Sequence, residues 1–242
     1  MKIYITACNK YTHICPVGIE YLNNYWPNQD ITIVGYESVK ELKNLPDNVD
    51  VKFLGKQQDF GKSWTDALIP FFKDVPEDYF VVLLEDLIIM NPMDVKRIDA
   101  LEDQIRQGNA QKALIGGGMP LSATKDFTEN VLVFNQDLDY RATLHPAIWD
   151  KQYFLKYLKP NMTPWQFELR NNNAAKYDGA NIIANKYVYP EEPHPYSFLN
   201  VYTKGKLMIT EDGEILDNQP SSKFFNKKHV KDIWRKTNAT KE

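Results

Sequence analysis

Tyr79-Phe-Val-Val-Leu-Leu-Glu-Asp-Leu-Ile-Ile89 is a run of apolar residues broken by two adjacent carboxylates, Glu85 and Asp86. A strand this apolar belongs in the middle of a parallel sheet, covered on both faces. Carboxylates are almost never buried unpaired, because removing their charge from water is costly. The pair is therefore expected where the strand emerges at the carboxyl edge of the sheet, which is where open α/β folds bind ligands. Two acids there suit a divalent cation, Mn²⁺ or Mg²⁺, and a cation there suits a phosphorylated substrate. Capping of the next segment, or pairing with a lysine, is the other use such a pair can have.

The rest of the chain supports an α/β reading. Ile3 to Ala7, Ile31 to Val34 and Val51 to Leu54 read as strands. Between and after them, helical spacing runs through Ile14, Val17, Tyr21, Leu22 and Tyr25, through a short segment at Val39 to Lys43, and through Ser63 to Lys73. Asn91-Pro-Met-Asp94 reads as a helix start capped by Asn91, with Val95, Ile98, Leu101 and Ile105 as its buried face and Gly108 as its stop. Strand-helix-strand repetition means a mostly parallel sheet with helices on both faces.

Beyond Ala113-Leu-Ile115 the character changes. Val131 to Phe134 reads as a strand, Pro146 to Leu158 as a helix, and Thr163-Pro-Trp-Gln166 as a capping box opening another helix. Lys204-Gly205 and Asp212-Gly213 predict hairpin turns in an antiparallel meander from Phe198 to Leu216. The division expected is a catalytic domain over 1–218 and a basic tail over 219–242. The tail's Lys223, Lys227, Lys228, Lys231, Arg235, Lys236 and Lys241 face only Asp232 and Glu242. Such a tail suits either a docked terminal helix with solvated charges or peripheral contact with an anionic membrane.

Whole-chain properties exclude several classes. A net charge of -3 argues against a dedicated nucleic-acid binder. With only Cys8 and Cys15, no disulfide framework is implied, and Cys8, His13 and Cys15 lack the second ligand pair of a zinc finger. No apolar run approaches the ~20 residues that span a bilayer, and the start reads as a strand rather than a secretory signal, so the expected location is the cytoplasm, at most at the inner face of the membrane. Neither a phosphate-binding Gly-x-x-x-x-Gly-Lys loop nor a dinucleotide Gly-x-Gly-x-x-Gly is present.

Other residues are candidates for chemistry. Glu168, between apolar neighbours on the helix after Pro164, has the setting of a general base or else of an exposed helix position. His145 and His194, the latter in Pro193-His-Pro195, can ligate a metal or bond a phosphate. Trp64, Trp149 and Trp165 offer flat faces on which sugar rings stack, or core contacts.

Three blocks carry a resemblance. Ser63-Trp-Thr-Asp-Ala-Leu68, Val82-Leu-Leu-Glu-Asp-Leu87, and Leu144-His-Pro-Ala-Ile-Trp149 running on to Pro164-Trp-Gln-Phe-Glu168 resemble the GT-A nucleotide-sugar glycosyltransferases, more narrowly those of bacterial and viral polysaccharide synthesis. The resemblance covers roughly Ile3 to Leu207. It implies a GT-A-like fold, a nucleoside-diphosphate sugar donor and a glycan or lipid-linked acceptor. It also implies Asp86 as the metal ligand, Glu85 as a residue contacting the nucleotide sugar or a metal-bound water, and Glu168 as the base of an inverting transfer; His194 is a further metal-ligand candidate on the chemistry of its imidazole alone. Asp66, Thr6 and Ala7 match positions near the nucleotide base or ribose, while Trp64 and Trp165 are substrate-binding candidates through their flat faces. The family usually has two Asp residues where this chain has Glu85 and Asp86. A nucleotidyltransferase acting on sugar phosphates is the rival enzyme reading, disfavoured because Cys8 to Thr12 contains no glycine; a non-catalytic nucleotide-sugar or carbohydrate-binding module is the other.

Overall fold

The structure is a computed structural model that describes residues 1–115, 123–186, 197–216 and 225–239. Its centre is a nine-stranded sheet in the order β3-β2-β1-β4-β9-β6-β10-β8-β7. The strands are β1 (Lys2–Ala7), β2 (Asp30–Gly35), β3 (Val49–Phe53), β4 (Tyr79–Leu84), β6 (Lys112–Leu114), β7 (Thr124–Thr128), β8 (Val131–Phe134), β9 (Ala147–Asp150) and β10 (Ile182–Asn185). Only β8 and β9 run against the other seven, so the sheet is mostly parallel, as expected.

Period-two alternation along the central strands builds two cores. Ile3, Ile5, Ile31, Ile33, Val81 and Leu83 face one side, beneath α1 (Cys15–Tyr25), α3 (Val95–Arg106) and α6 (Lys227–Ala239). Tyr4, Val34, Phe80 and Val82 face the other, beneath α2 (Thr65–Asp74), α4 (Lys151–Tyr157) and α5 (Pro164–Ala175). The second core is aromatic, with Phe72 stacked on Phe80 at 5.0 Å and both meeting Phe154 edge-on.

Several local expectations change. The stretch 146–158 is not one helix. Ala147, Ile148 and Trp149 are fully buried as β9, wedged between β4 and β6, and Asp150 then caps α4 by accepting the N–H of Tyr153 at 2.7 Å. Helix α3 is capped by Asp94, which accepts from Arg97 N, whereas Asn91 Oδ1 accepts Ser197 N at 2.7 Å. The segment expected at Val39 to Lys43 is a 3₁₀ turn over Glu37–Glu41. The Thr163–Gln166 capping box is present on both sides, and Gly108, at φ 74°, ends α3.

The C-terminal segment turns where expected, and beyond its first hairpin a second turn at Asp212-Gly213 brings Ile209 opposite Ile215 in an antiparallel bridge, with Thr210 N donating to Glu214 O at 3.0 Å. β11 (Phe198–Asn200) pairs antiparallel with β5 (Leu87–Ile89), just beyond the acidic pair; β12 (Tyr202–Thr203) and β13 (Lys206–Leu207) form a hairpin through Lys204 and Gly205, both at positive φ. Helix α6 is docked. Val230 and Ile233 join the first core, Tyr21 donates to Asp232 at 3.1 Å, and Lys236 pairs with Glu20 at 2.6 Å. Its apolar stripe is thus turned inward. No helix among the described residues is long and apolar enough to cross a membrane.

Candidate functional site

The strand directions gather the chemistry at one edge. β1, β4, β6 and β10 all end there, and because β9 runs the other way, it begins there. The residues that follow β1 and β4, and those that precede β9, are therefore neighbours. His194 lies outside the described residues.

Glu85 and Asp86 stand directly after β4, with unequal surroundings. Glu85 is 8% exposed, and its Oε1 accepts the N–H of Cys8, the residue after β1, at 3.2 Å. Asp86 is half-buried. Its carbonyl accepts from Val201 N at 2.8 Å. The Asn200 amide, with its nitrogen turned toward both partners, donates to Tyr202 O at 2.7 Å and to Asp86 Oδ2 at 3.2 Å. Neither carboxylate forms an ion pair among the described residues, so the alternative of a lysine partner has no support there. Burial raises Glu85 above its ordinary value, and burial followed by the charge of Glu85 pushes Asp86 up to about 8. Burial and proximity disfavour the charged forms of both acids, a cost that a bound proton or a cation relieves.

Carboxylate oxygens are the donors that a hard divalent cation takes, so the chemistry of the pair fits one. Among the described residues no group of three His, Cys, Asp or Glu side chains converges. The cysteines do not extend the set as thiolates: burial, then Glu85, pushes Cys8 up to about 12 and Cys15 well above the ordinary thiol range.

Glu168 projects from α5 back to this edge. Its Oε1 accepts the Thr143 hydroxyl at 2.8 Å and the Leu144 N–H at 2.6 Å, and both donors belong to the segment leading into β9. Two donors to one oxygen fix the direction of the carboxylate. This is not the solvent-facing helix position that was its other reading. His145, next in the chain, is exposed and donates its N–H to Thr143 Oγ1 at 3.2 Å.

The remaining candidates divide. Thr6 and Ala7 are buried at the end of β1, where Thr6 Oγ1 accepts the Trp64 indole N–H at 3.4 Å. Trp64 also meets Phe167 edge-on at 5.7 Å, and its backbone N–H donates to Met162 O at 2.7 Å, so the start of α2 is joined to the lead-in of α5. Asp66 serves that junction: its Oδ1 accepts Asn161 N at 2.8 Å. Trp165 is 60% exposed and presents an open aromatic face, whereas Trp149 is fully buried and is removed from the stacking candidates. Sequence reasoning missed Thr143, Leu144 and Asn200, which act through a hydroxyl, a backbone N–H and an amide and carry no local signature.

No family model and no curated protein matches the chain. Solved structures do. HddC from Yersinia pseudotuberculosis is 13% identical at TM-score 0.51, covering 83% of this chain and 93% of that one. An apo UDP-glucose pyrophosphorylase is 11% identical at TM-score 0.50, covering 76% and 89%. S. aureus TarS is 12% identical at TM-score 0.50 and covers 81% of this chain, which spans only 36% of TarS. At these identities the likeness is one of fold, and the fold it supports is the GT-A-like, Rossmann-type sheet shared by glycosyl- and nucleotidyltransferases.

Proposed function

We propose that the protein transfers a sugar from a nucleoside-diphosphate donor to an acceptor hydroxyl. The observation that carries this reading is one sheet edge bearing two unlike carboxylate settings. Glu85 is buried and Asp86 half-buried beside it, neither in an ion pair among the described residues, while Glu168 is held by two donors. The first setting suits a leaving diphosphate with its cation, the second a base. A divalent cation bound at Asp86 supplies neutralisation of negative charge on the departing diphosphate. The chain's own groups do the rest. Glu168 takes the acceptor's proton on Oε2, because Oε1 is occupied by Thr143 and Leu144. The bond from the anomeric carbon to the diphosphate oxygen breaks as the acceptor oxygen bonds to that carbon. Trp165, open at the start of the same helix as Glu168, offers a stacking face for a sugar ring. The acceptor class we assign is a glycan or a lipid-linked saccharide.

The second reading, nucleotidyl transfer onto a sugar phosphate, is favoured by the likeness to a UDP-glucose pyrophosphorylase. Against it, the turn after β1 closes on itself without glycine, with Tyr11 N and Thr12 N both donating to Cys8 O at 3.0 Å, so few backbone N–H groups remain there for a triphosphate. Incubating the protein with UDP- and GDP-sugars and Mn²⁺, and following products by phosphorus NMR, separates the two. Release of nucleoside diphosphate supports sugar transfer. Formation of nucleoside triphosphate when pyrophosphate is added supports the second reading and overturns the first.

A further inference from the structure

Lys112 is buried without a local explanation. It opens β6 at 0% exposure, and no carboxylate of the described residues forms an ion pair with it. Its ammonium instead donates to Arg141 O at 3.1 Å and Thr143 O at 2.6 Å and lies 4.0 Å from the centre of the Trp149 ring, its cross-strand partner. Three donors thus meet two carbonyls and an indole face. Burying a cation in this way is costly, and a methionine of the same length would fill the space without that cost. Burial accordingly pulls Lys112 well below the ordinary lysine range, with the charge of Glu168 acting in the opposite sense and that of Arg141 adding to the burial.

What the arrangement achieves is visible at Thr143. That residue gives its carbonyl to Lys112 and its hydroxyl to Glu168, and the next N–H, on Leu144, goes to the same carboxylate oxygen. Both donors that aim Glu168 therefore sit on a segment whose backbone Lys112 grips at two points. We infer that Lys112 is a positioning residue for Glu168, holding the 141–144 segment in the register that presents Thr143 Oγ1 and Leu144 N to the carboxylate. This inference rests on the reading of Glu168 as the base only for its catalytic consequence; the structural coupling stands apart from it.

The test has a readout that needs no substrate. In Lys112→Met the Leu144 amide proton, now hydrogen-bonded at 2.6 Å, is expected to shift upfield toward its position in Glu168→Gln. Its solvent exchange, measured against the Ile5 amide of β1, should accelerate. With a UDP-sugar and water as acceptor, kcat should fall by about 10- to 100-fold with donor KM unchanged, the scale expected of a misplaced catalytic group. Adding Lys112→Met to Glu168→Gln should cost nothing further in kcat, because both act through one carboxylate. A Leu144 resonance and relative exchange rate unchanged in Lys112→Met overturn the inference, as does a kcat loss that simply adds to that of Glu168→Gln. If Glu168→Gln turns over as fast as the native chain, the base reading fails, while the Leu144 amide still decides whether Lys112 holds the carboxylate. Should Lys112→Met not fold, Lys112→Leu, which also removes every donor to the two carbonyls, is read in the same way.

Discussion

The backbone N–H of Cys8 donates to Glu85 Oε1 at 3.2 Å, which ties the exit of β1 to the exit of β4. A glutamine would keep that acceptor while discarding a charge that burial disfavours. Glu85→Gln is therefore expected to stabilise the metal-free chain by about 1–3 kcal/mol at neutral pH, on the scale of relieving an unpaired buried polar group. Denaturant unfolding checks it, and a variant less stable than the native chain would mean that Glu85 already has a compensating partner.

The pH dependence follows from Asp86. Its folded value, about 8, lies above its ordinary 3.8, so between those values the folded chain holds a proton that the unfolded chain has released. The stabilising contribution is full below about pH 4, falls as pH rises, and levels off above about pH 8. Subtracting the urea profile of Asp86→Asn from that of the native metal-free chain isolates it. The difference should shrink steadily across that window, and parallel profiles would contradict the burial of this carboxylate.

Glu168 supplies the third expectation. Glu168→Gln keeps an oxygen for Thr143 and Leu144 but cannot take a proton, so turnover should drop by about 10²- to 10⁴-fold, the usual contribution of a general base. Donor affinity should be unchanged, because the group acts on the acceptor. Undiminished turnover in a steady-state assay removes Glu168 from the chemistry.

Gly18, within α1, lines a small cavity beside Glu85 together with Ile5, Leu22 and Leu83, and a Cβ placed on it meets nothing within 4 Å. Gly18→Ala should therefore stabilise the protein by about 0.5–1 kcal/mol, as alanine gains on glycine inside a helix. A lowered denaturation midpoint would show that the space is needed.

How much of this was legible in the sequence depended on how local each signal is. The acidic pair could be placed because the apolar run before it admits only a central strand, and the Thr163–Gln166 box because its two halves lie three residues apart. Strand β9 was hidden: Ala147-Ile-Trp149 is too short to separate periods of 2 and 3.6, and Asp150 caps a real helix immediately after it. Asn91 and Asp94 are equally good caps, and only the pull of Ser197 on Asn91 decides between them. Lys112 and Arg141 were beyond reach. Their hydrogen bonds go to main-chain carbonyls, for Arg141 those of Phe134, Asn135, Ala175 and Ala180, and a carbonyl has no side-chain code; the one carboxylate that Arg141 meets, Asp178 at 3.5 Å, lies far along the chain.

The account turns on negative charge at the end of β4 gripping a cation that in turn grips a diphosphate. Thermal unfolding with UDP or GDP, with and without Mn²⁺, tests this directly in the native chain and in Asp86→Asn. With nucleotide near 100 Kd the native chain should gain about 2.7 kcal/mol, or roughly 5–10 °C, only when Mn²⁺ is present, and Asp86→Asn should gain none of it. A nucleotide shift that ignores Mn²⁺ and survives Asp86→Asn, or no shift with either nucleotide, would contradict the account.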